Sequence, residues 1–80
     1  MRKQEVIDLA SRRGICVYEQ YKGRKVYYKV RIPMFEDEKE LPVSYRDEVV
    51  GNIKEVKQLM EKVWEEDKYR LKALNWLRKY

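Results

Sequence analysis

The sequence contains no histidine and only one cysteine, Cys16. Without histidine, a serine or cysteine nucleophile has no imidazole base beside it, and the usual histidine-bearing zinc sites cannot form. The three glycines stand singly, which excludes a glycine-rich phosphate-binding loop. We therefore expect no enzymatic activity, no metal site and no cofactor.

Long apolar runs and disulfide partners are equally scarce. No run approaches the roughly 20 apolar residues that span a bilayer, and residues 1–14 lack the apolar core of a signal peptide. A lone cysteine cannot form an intrachain disulfide, which suits a reducing compartment. These features predict a cytoplasmic protein with no membrane partner.

Charge is abundant but unevenly distributed along the chain, whose 80 residues predict a single domain, 1–80. Residues 1–32 carry a net charge of +6, residues 33–48 carry −4, and residues 49–80 carry +3. Basic flanks of this kind favour a polyanionic partner. The abundant lysine, arginine and glutamate, with no threonine, are also typical of a heat-adapted host that uses surface ion pairs.

The N-terminal part of the chain predicts a short helix followed by a hairpin. Apolar residues recur at helical spacing over residues 3–13, and Gly14 follows as a stop signal. Residues 15–21 and 25–32 then alternate between apolar and polar side chains, as antiparallel strands do. Pro33 has no N–H for a ladder, so we expect it to end the second strand.

The turn of this hairpin sets the register of the two strands. Gly23 can take the positive φ that tight turns require, so we expect Lys22 and Gly23 at the tip. Val17 then pairs with Tyr28. Alternation separates an apolar inner face from a polar outer face. The outer face carries Tyr18, Gln20, Lys25, Tyr27, Lys29 and Arg31.

Residues 43–50 are open to two interpretations. They form either a third strand or a first helical turn capped by Ser44. Gly51 favours the strand, because Asn52 followed by Glu55 is a better helix start than a glycine is a helix interior.

The C-terminal part predicts a long helical segment that packs on one face of the sheet. From Ile53 to Trp64 the apolar residues fall within one arc. Asp67 interrupts this stripe, so the segment either bends there or restarts as a second helix. The fold class is therefore α+β, with a short N-terminal helix, an antiparallel hairpin or three-stranded sheet, and one or two C-terminal helices.

Residues 68–80 carry two apolar stripes and only a narrow polar face. A helix with so wide an apolar perimeter either enters the core completely or meets a second chain. In the second case we expect a homodimer or a protein partner, because tryptophan and tyrosine often dominate interfaces. That interface would contain Tyr69, Leu71, Leu74, Trp76, Leu77 and Tyr80.

The order helix, three strands, helix resembles the double-stranded RNA-binding domain, with GNIKEVKQLMEKVW at the start of the last helix. The resemblance implies a basic cluster formed by Lys54 and Lys57. The chain departs from that family where small alanines are replaced by Leu59, Met60 and Val63.

Residues 15–66 also look like the arm-site DNA-binding domain of tyrosine recombinases. This resemblance implies that the outer sheet face enters the DNA major groove. It assigns the binding surface to Lys25, Tyr27, Lys29 and Arg31.

The leading hypothesis is a small nucleic-acid-binding protein, with duplex DNA favoured over RNA. Lysine and arginine can contact phosphates or guanine edges, and glutamine can read adenine. The candidate contacts are Arg12, Arg13, Gln20, Lys22, Arg24, Lys25, Tyr27, Lys29, Arg31, Lys54 and Lys57. The alternative is an inhibitor or adaptor encoded by a virus, plasmid or other mobile element. It would bind a protein target through the aromatic C-terminal helix and the acidic segment 36–40.

Overall fold

Three segments contain β-branched and aromatic residues among charged ones, and each segment forms one strand of an antiparallel sheet. The computed structural model describes residues 2–79, and helices precede and follow the sheet. The elements are α1 (Lys3–Arg12), β1 (Cys16–Lys22), β2 (Lys25–Met34), β3 (Ser44–Val50), α2 (Ile53–Glu65) and α3 (Asp67–Arg78). The strand order β1-β2-β3 makes β2 the central strand. The predicted α+β class is confirmed, in its three-stranded form with two C-terminal helices.

The predicted register of the hairpin is wrong by two residues. Val17 pairs with Val30, not with Tyr28, and the central turn residues are Gly23 and Arg24. Of these two turn residues only Gly23 has a positive φ, +64°. This is the pattern of a type II′ turn, which requires the glycine at the first central position. Because side chains alternate with a period of two, a shift of two residues leaves every side chain on its predicted face.

The prediction that Pro33 ends the second strand is also wrong. β2 continues to Met34, and Pro33 lies opposite Tyr45 of β3. β1 begins at Cys16, which pairs with Arg31, so beyond that point only β3 borders the central strand. A proline is tolerated there because one side of the strand has no ladder to lose.

A reciprocal cap starts α2 where the sequence predicts it. The side chain of Asn52 accepts a hydrogen bond from the Glu55 N–H at 2.9 Å, and the Glu55 carboxylate accepts one from the Gly51 N–H at 2.9 Å. This variant of the capping box satisfies the Glu55 N–H, which the helix itself leaves free, and the N–H of the residue before the N-cap. At the other end Glu66 adopts an extended conformation and separates α2 from α3, so the helical segment is two helices.

The core lies between the helices and one face of the sheet, the inner face. The side chains that form it are Val6, Ala10, Ile15, Tyr28, Val30, Ile32, Val56, Met60, Val63, Tyr69 and Ala73. Fully burying an aliphatic side chain contributes about 1.5 to 3 kcal/mol, so this single layer supplies most of the stability. All three helices contribute to it, which leaves the opposite face of the sheet uncovered. Among the described residues, no helix has the length and apolar content to cross a bilayer.

Candidate nucleic-acid interface

The uncovered face of the sheet, here called the outer sheet face, collects side chains from all three strands. Pairing places Tyr18, Lys29 and Val49 in one row and Cys16, Arg31 and Asp47 in the next. Toward the turn, the rows consist of Gln20 with Tyr27 and of Lys22 with Lys25. All of these side chains are exposed or half-buried. The face is therefore a basic and aromatic surface open to solvent.

Two cations of this face lie beside the ring of Tyr18. The ammonium nitrogen of Lys29 lies 5.5 Å from the centroid of the Tyr18 ring, and the guanidinium carbon of Arg31 lies 5.8 Å from it. Cations within about 6 Å of an aromatic centroid are attracted by the ring quadrupole. The ring thereby holds two cations side by side, while 40% of Tyr18 stays exposed.

Arg31 also forms a two-point ion pair with Asp47 on β3. Its Nε and Nη2 atoms donate to Oδ1 and Oδ2 of Asp47 at 2.9 and 3.1 Å. The hydrogen bond from Arg31 holds the pKa of Asp47 below its ordinary value, and the charges of Arg31 and Lys29 act in the same direction. The same pairing raises the pKa of Arg31. Sequence reasoning missed Asp47, although its place in the period-two pattern of the third strand puts it beside Arg31.

The end of the sheet near the turn carries like charges in direct opposition. Lys22 and Lys25 are cross-strand partners, and Arg24 lies between them in the turn. All three are exposed, and within the described chain none forms an ion pair. Like charges directly opposite one another weaken a sheet, so this arrangement is typical of a surface that meets an anion.

The remaining predicted contacts lie on the helical layer and not on the outer sheet face. The Arg13 guanidinium stacks on the Trp64 ring, 4.9 Å from its centroid, and lies 3.5 Å from Glu61. Arg12 is exposed at the end of α1, and Lys54 and Lys57 are exposed on α2. Because α1 and α2 pack on the inner face, one flat duplex surface cannot contact these residues and the outer sheet face together.

The acidic segment 36–40 binds the lysine face of α3. Asp37 pairs with Lys68 at 2.5 Å, and Glu40 pairs with Lys79 at 2.6 Å. Lys72 donates to the backbone oxygens of Asp37 and Lys39 at 2.6 and 3.1 Å. Hydrogen bonds from Lys68 and Lys79 lower the pKa values of Asp37 and Glu40, respectively. The two oppositely charged segments of the sequence thus neutralise each other.

Tyr69 of α3 belongs to the core, and Trp76 is half-buried on the same side of the helix. Tyr69 is 7% exposed, and its hydroxyl donates to the backbone oxygen of Arg13 at 2.7 Å. Burial raises the pKa of Tyr69 well above its usual range. Trp76 packs edge-on against Phe35, with ring centroids 5.9 Å apart, and lies against Gly14. These aromatic side chains hold α3 against the rest of the fold.

The leucine stripe of α3 has different surroundings. Leu71 is 65% exposed and Leu74 is 43% exposed, whereas Leu77 is half-buried. The sixth member of the predicted partner interface, Tyr80, lies outside the described residues. Among the described residues of α3, the exposed apolar side chains are therefore Leu71 and Leu74, whereas Tyr69 is buried and Trp76 is half-buried.

Comparisons with protein-family models, with curated proteins and with solved structures found no match to this chain. The two family resemblances therefore rest on the order of the elements. The structure adds a further helix, α3, at the end of that order.

Proposed function

We propose that the protein binds duplex DNA through the outer sheet face. The observation that supports this most directly is the concentration of cations around Tyr18 and at the turn, on a face that no helix covers. Three strands spaced about 4.8 Å apart span roughly 10 Å between the outer strands. The major groove of B-DNA is about 12 Å wide and admits a two-stranded β-ribbon, so β1 and β2, which carry the basic side chains of this face, are the strands proposed to enter it.

The side chains on this face divide into two roles. Lys22, Lys25 and Lys29 neutralise phosphates, and counterion release then supplies the bulk of the affinity. Gln20 and Tyr27 share one row, which brings an amide suited to adenine beside a ring suited to sugar or base contact. A duplex RNA is a poorer fit, because its major groove is too narrow and deep for protein side chains to read. The proposed setting is the cytoplasm, where Cys16 stays reduced.

A salt titration with charge-matched variants tests this proposal. Binding of a duplex of about 20 base pairs is measured by fluorescence anisotropy between 50 and 200 mM salt. Lys25→Ala/Lys29→Ala should lower the affinity at low salt and flatten the log–log salt slope by about 2. Lys54→Ala/Lys57→Ala removes the same charge from the helical layer and should leave the slope nearly unchanged.

Three outcomes would count against the proposal. Wild-type protein that binds no duplex at the lower salt concentration would reject it. Equal losses in the two double variants would show that the outer sheet face is not the contact surface. A duplex RNA of the same sequence that binds as tightly as the DNA would reject the major-groove geometry.

The exposed leucines of α3 favour a second candidate function, binding of a protein partner or of a second copy of this chain. Leu71 and Leu74 are large apolar side chains on the solvent side of the helix. Sedimentation velocity at several concentrations would detect self-association, and Leu71→Asp should abolish it. A concentration-independent monomer would remove the homodimer from this candidate and leave a different protein as the partner.

A further inference from the structure

The Arg31 guanidinium is held in place while part of its donor set stays unused. Of the five N–H donors of a guanidinium, the Nε–H and one on Nη2 point to Asp47. Within the described chain no other hydrogen bond occupies this group. The donors that remain belong to Nη1 and Nη2, and they form the end-on fork that suits two adjacent acceptors.

The surroundings of the guanidinium restrict its movement further. Arg31 belongs to the central strand, with Cys16 opposite on β1 and Asp47 opposite on β3. The ring of Tyr18 lies 5.8 Å from the guanidinium carbon, and 39% of the side chain remains exposed. A pre-oriented fork loses less entropy on binding than the flexible ammonium of an exposed lysine.

We propose that Arg31, oriented by Asp47, reads guanine in the major groove of the bound duplex. The O6 and N7 atoms of guanine are the adjacent acceptors that arginine contacts with two parallel hydrogen bonds. This inference rests on the proposed function and adds sequence preference to it.

The charge of Asp47 favours a base edge over a phosphate as the ligand of Arg31. The ion pair is neutral overall, so it adds little attraction for a phosphate, and a carboxylate beside a phosphate oxygen is repulsive. A guanine edge carries no net charge and meets no such repulsion. The lysines near the turn have no carboxylate partner in the described chain and remain the phosphate contacts.

Four alternating duplexes of equal length test the assignment, made from dG-dC, dI-dC, 7-deaza-dG-dC and dA-dT. Inosine keeps O6 and N7 but lacks the minor-groove amino group, whereas 7-deazaguanine lacks N7. Wild-type protein should bind the dG-dC and dI-dC duplexes equally well. It should bind the 7-deaza-dG-dC duplex more weakly, by up to about 150-fold, because one of the two acceptors of the bidentate contact is missing. The dA-dT duplex, which offers adenine to Gln20, shows the binding that remains without the Arg31 contact.

Two variants distinguish guanine recognition by Arg31 from the general effect of charge on affinity. Arg31→Lys keeps the positive charge but replaces the planar fork with a flexible ammonium, so the guanine preference should shrink while the salt slope stays. Asp47→Ala removes a negative charge, so affinity for every duplex should rise, while the guanine preference should shrink because the fork is no longer oriented. Far-UV circular dichroism checks that both variants, which change a half-exposed pair, are folded.

The possible failures are distinguishable. Salt-dependent binding with no preference among the four duplexes would overturn the guanine assignment and leave the proposed function intact. A preference that either Arg31→Lys or Asp47→Ala leaves at full size would also overturn it. Absence of binding to any duplex would reject the proposed function, and the guanine assignment with it.

Discussion

The lysines of α3 and the lysines of the hairpin carry the same charge in opposite surroundings. Lys68 and Lys79 pair with Asp37 and Glu40, and Lys72 donates to backbone oxygens of the same segment. Lys25 and Lys29 have no carboxylate partner in the described chain. The difference shows that the number of basic residues does not locate a binding surface, because an internal acidic segment can occupy them.

The aromatic residues show the same division. Tyr69 and Trp76 fix α3 to the core, whereas Tyr18 and Tyr27 remain on the outer sheet face. Substitutions on the α3 side should therefore change stability, and those on the sheet side should change binding.

The largest expected effect on stability distinguishes the aromatic residues of α3 from those of the outer sheet face. Tyr69→Ala should lower the free energy of unfolding by about 3 to 5 kcal/mol, because it opens a cavity under α3. Tyr18→Ala should cost about 0.2 to 1 kcal/mol, the size of a cross-strand contact. Urea denaturation followed by circular dichroism measures both values. Similar losses for the two variants would contradict the assignment of Tyr69 to the core.

The next largest effect on stability is expected at two glycines with positive φ, one beside α3 and one in the hairpin turn. Gly14→Ala and Gly23→Ala both place a Cβ in the left-handed region, at a cost of about 1 to 2 kcal/mol each. At Gly14 the new atom would also lie 2.9 Å from the Trp76 ring, whereas at Gly23 it meets nothing within 4 Å. The same denaturation measurement should therefore give the larger loss for Gly14→Ala. A larger loss at Gly23 would mean that Trp76 does not pack there.

A smaller effect concerns the pairing of the acidic segment with α3. The pKa values of Asp37 and Glu40 are lowered below 3.8 and 4.5, so these groups stabilise the fold at neutral pH. That contribution is lost as the pH falls below those ordinary values through the folded pKa values. Carboxyl-carbon NMR titration should show both depressed pKa values.

Charge-matched variants show which lysine lowers the pKa of Asp37. Lys68→Met should return the pKa of Asp37 toward 3.8, because it removes the largest cause of the shift. Lys25→Met removes the same charge from the hairpin and should leave both titrations unchanged. An unshifted Asp37 in the wild-type protein would show that the pairing does not form in solution.

The smallest expected effect is at the exposed leucine stripe. Leu71→Ala should change the free energy of unfolding by less than about 0.5 kcal/mol, because the side chain is 65% exposed. Urea denaturation at low protein concentration measures it. A loss above about 1 kcal/mol that grows with protein concentration would instead favour the interface at α3.

Local patterns predicted the elements of the fold but missed the turn register and the end of β2. The reciprocal cap of Asn52 and Glu55 fixes the start of α2 within four residues of chain, so sequence spacing was enough. Where β2 ends depends on the length of the neighbouring strand, which no residue near Pro33 encodes. The face of each hairpin residue was nevertheless predictable, because a register error of two preserves the alternation.

The candidate site was predictable only in part for a related reason. Tyr18, Gln20, Lys25, Tyr27, Lys29 and Arg31 share the outer sheet face, as the alternation predicts, whereas Lys22, predicted at the tip of the turn, lies in the strand opposite Lys25. The interaction of Arg31 with Asp47 depends on the pairing of β2 with β3, and the position of Arg13 on Trp64 depends on helix packing. Contacts between residues this far apart in sequence are absent from any local pattern.

The sequence by itself determined the order of most helices and strands and which side chains of the hairpin share a face, because backbone periodicity and capping act over a few residues. Only the tertiary structure decided that Tyr69 of α3 enters the core while Leu71 and Leu74 stay exposed, and which lysines are paired internally. Those outcomes depend on the positions of the 36–40 segment and of α3 relative to the sheet. The composition accounts for a basic protein, and the packing leaves the outer sheet face as one of its open basic surfaces.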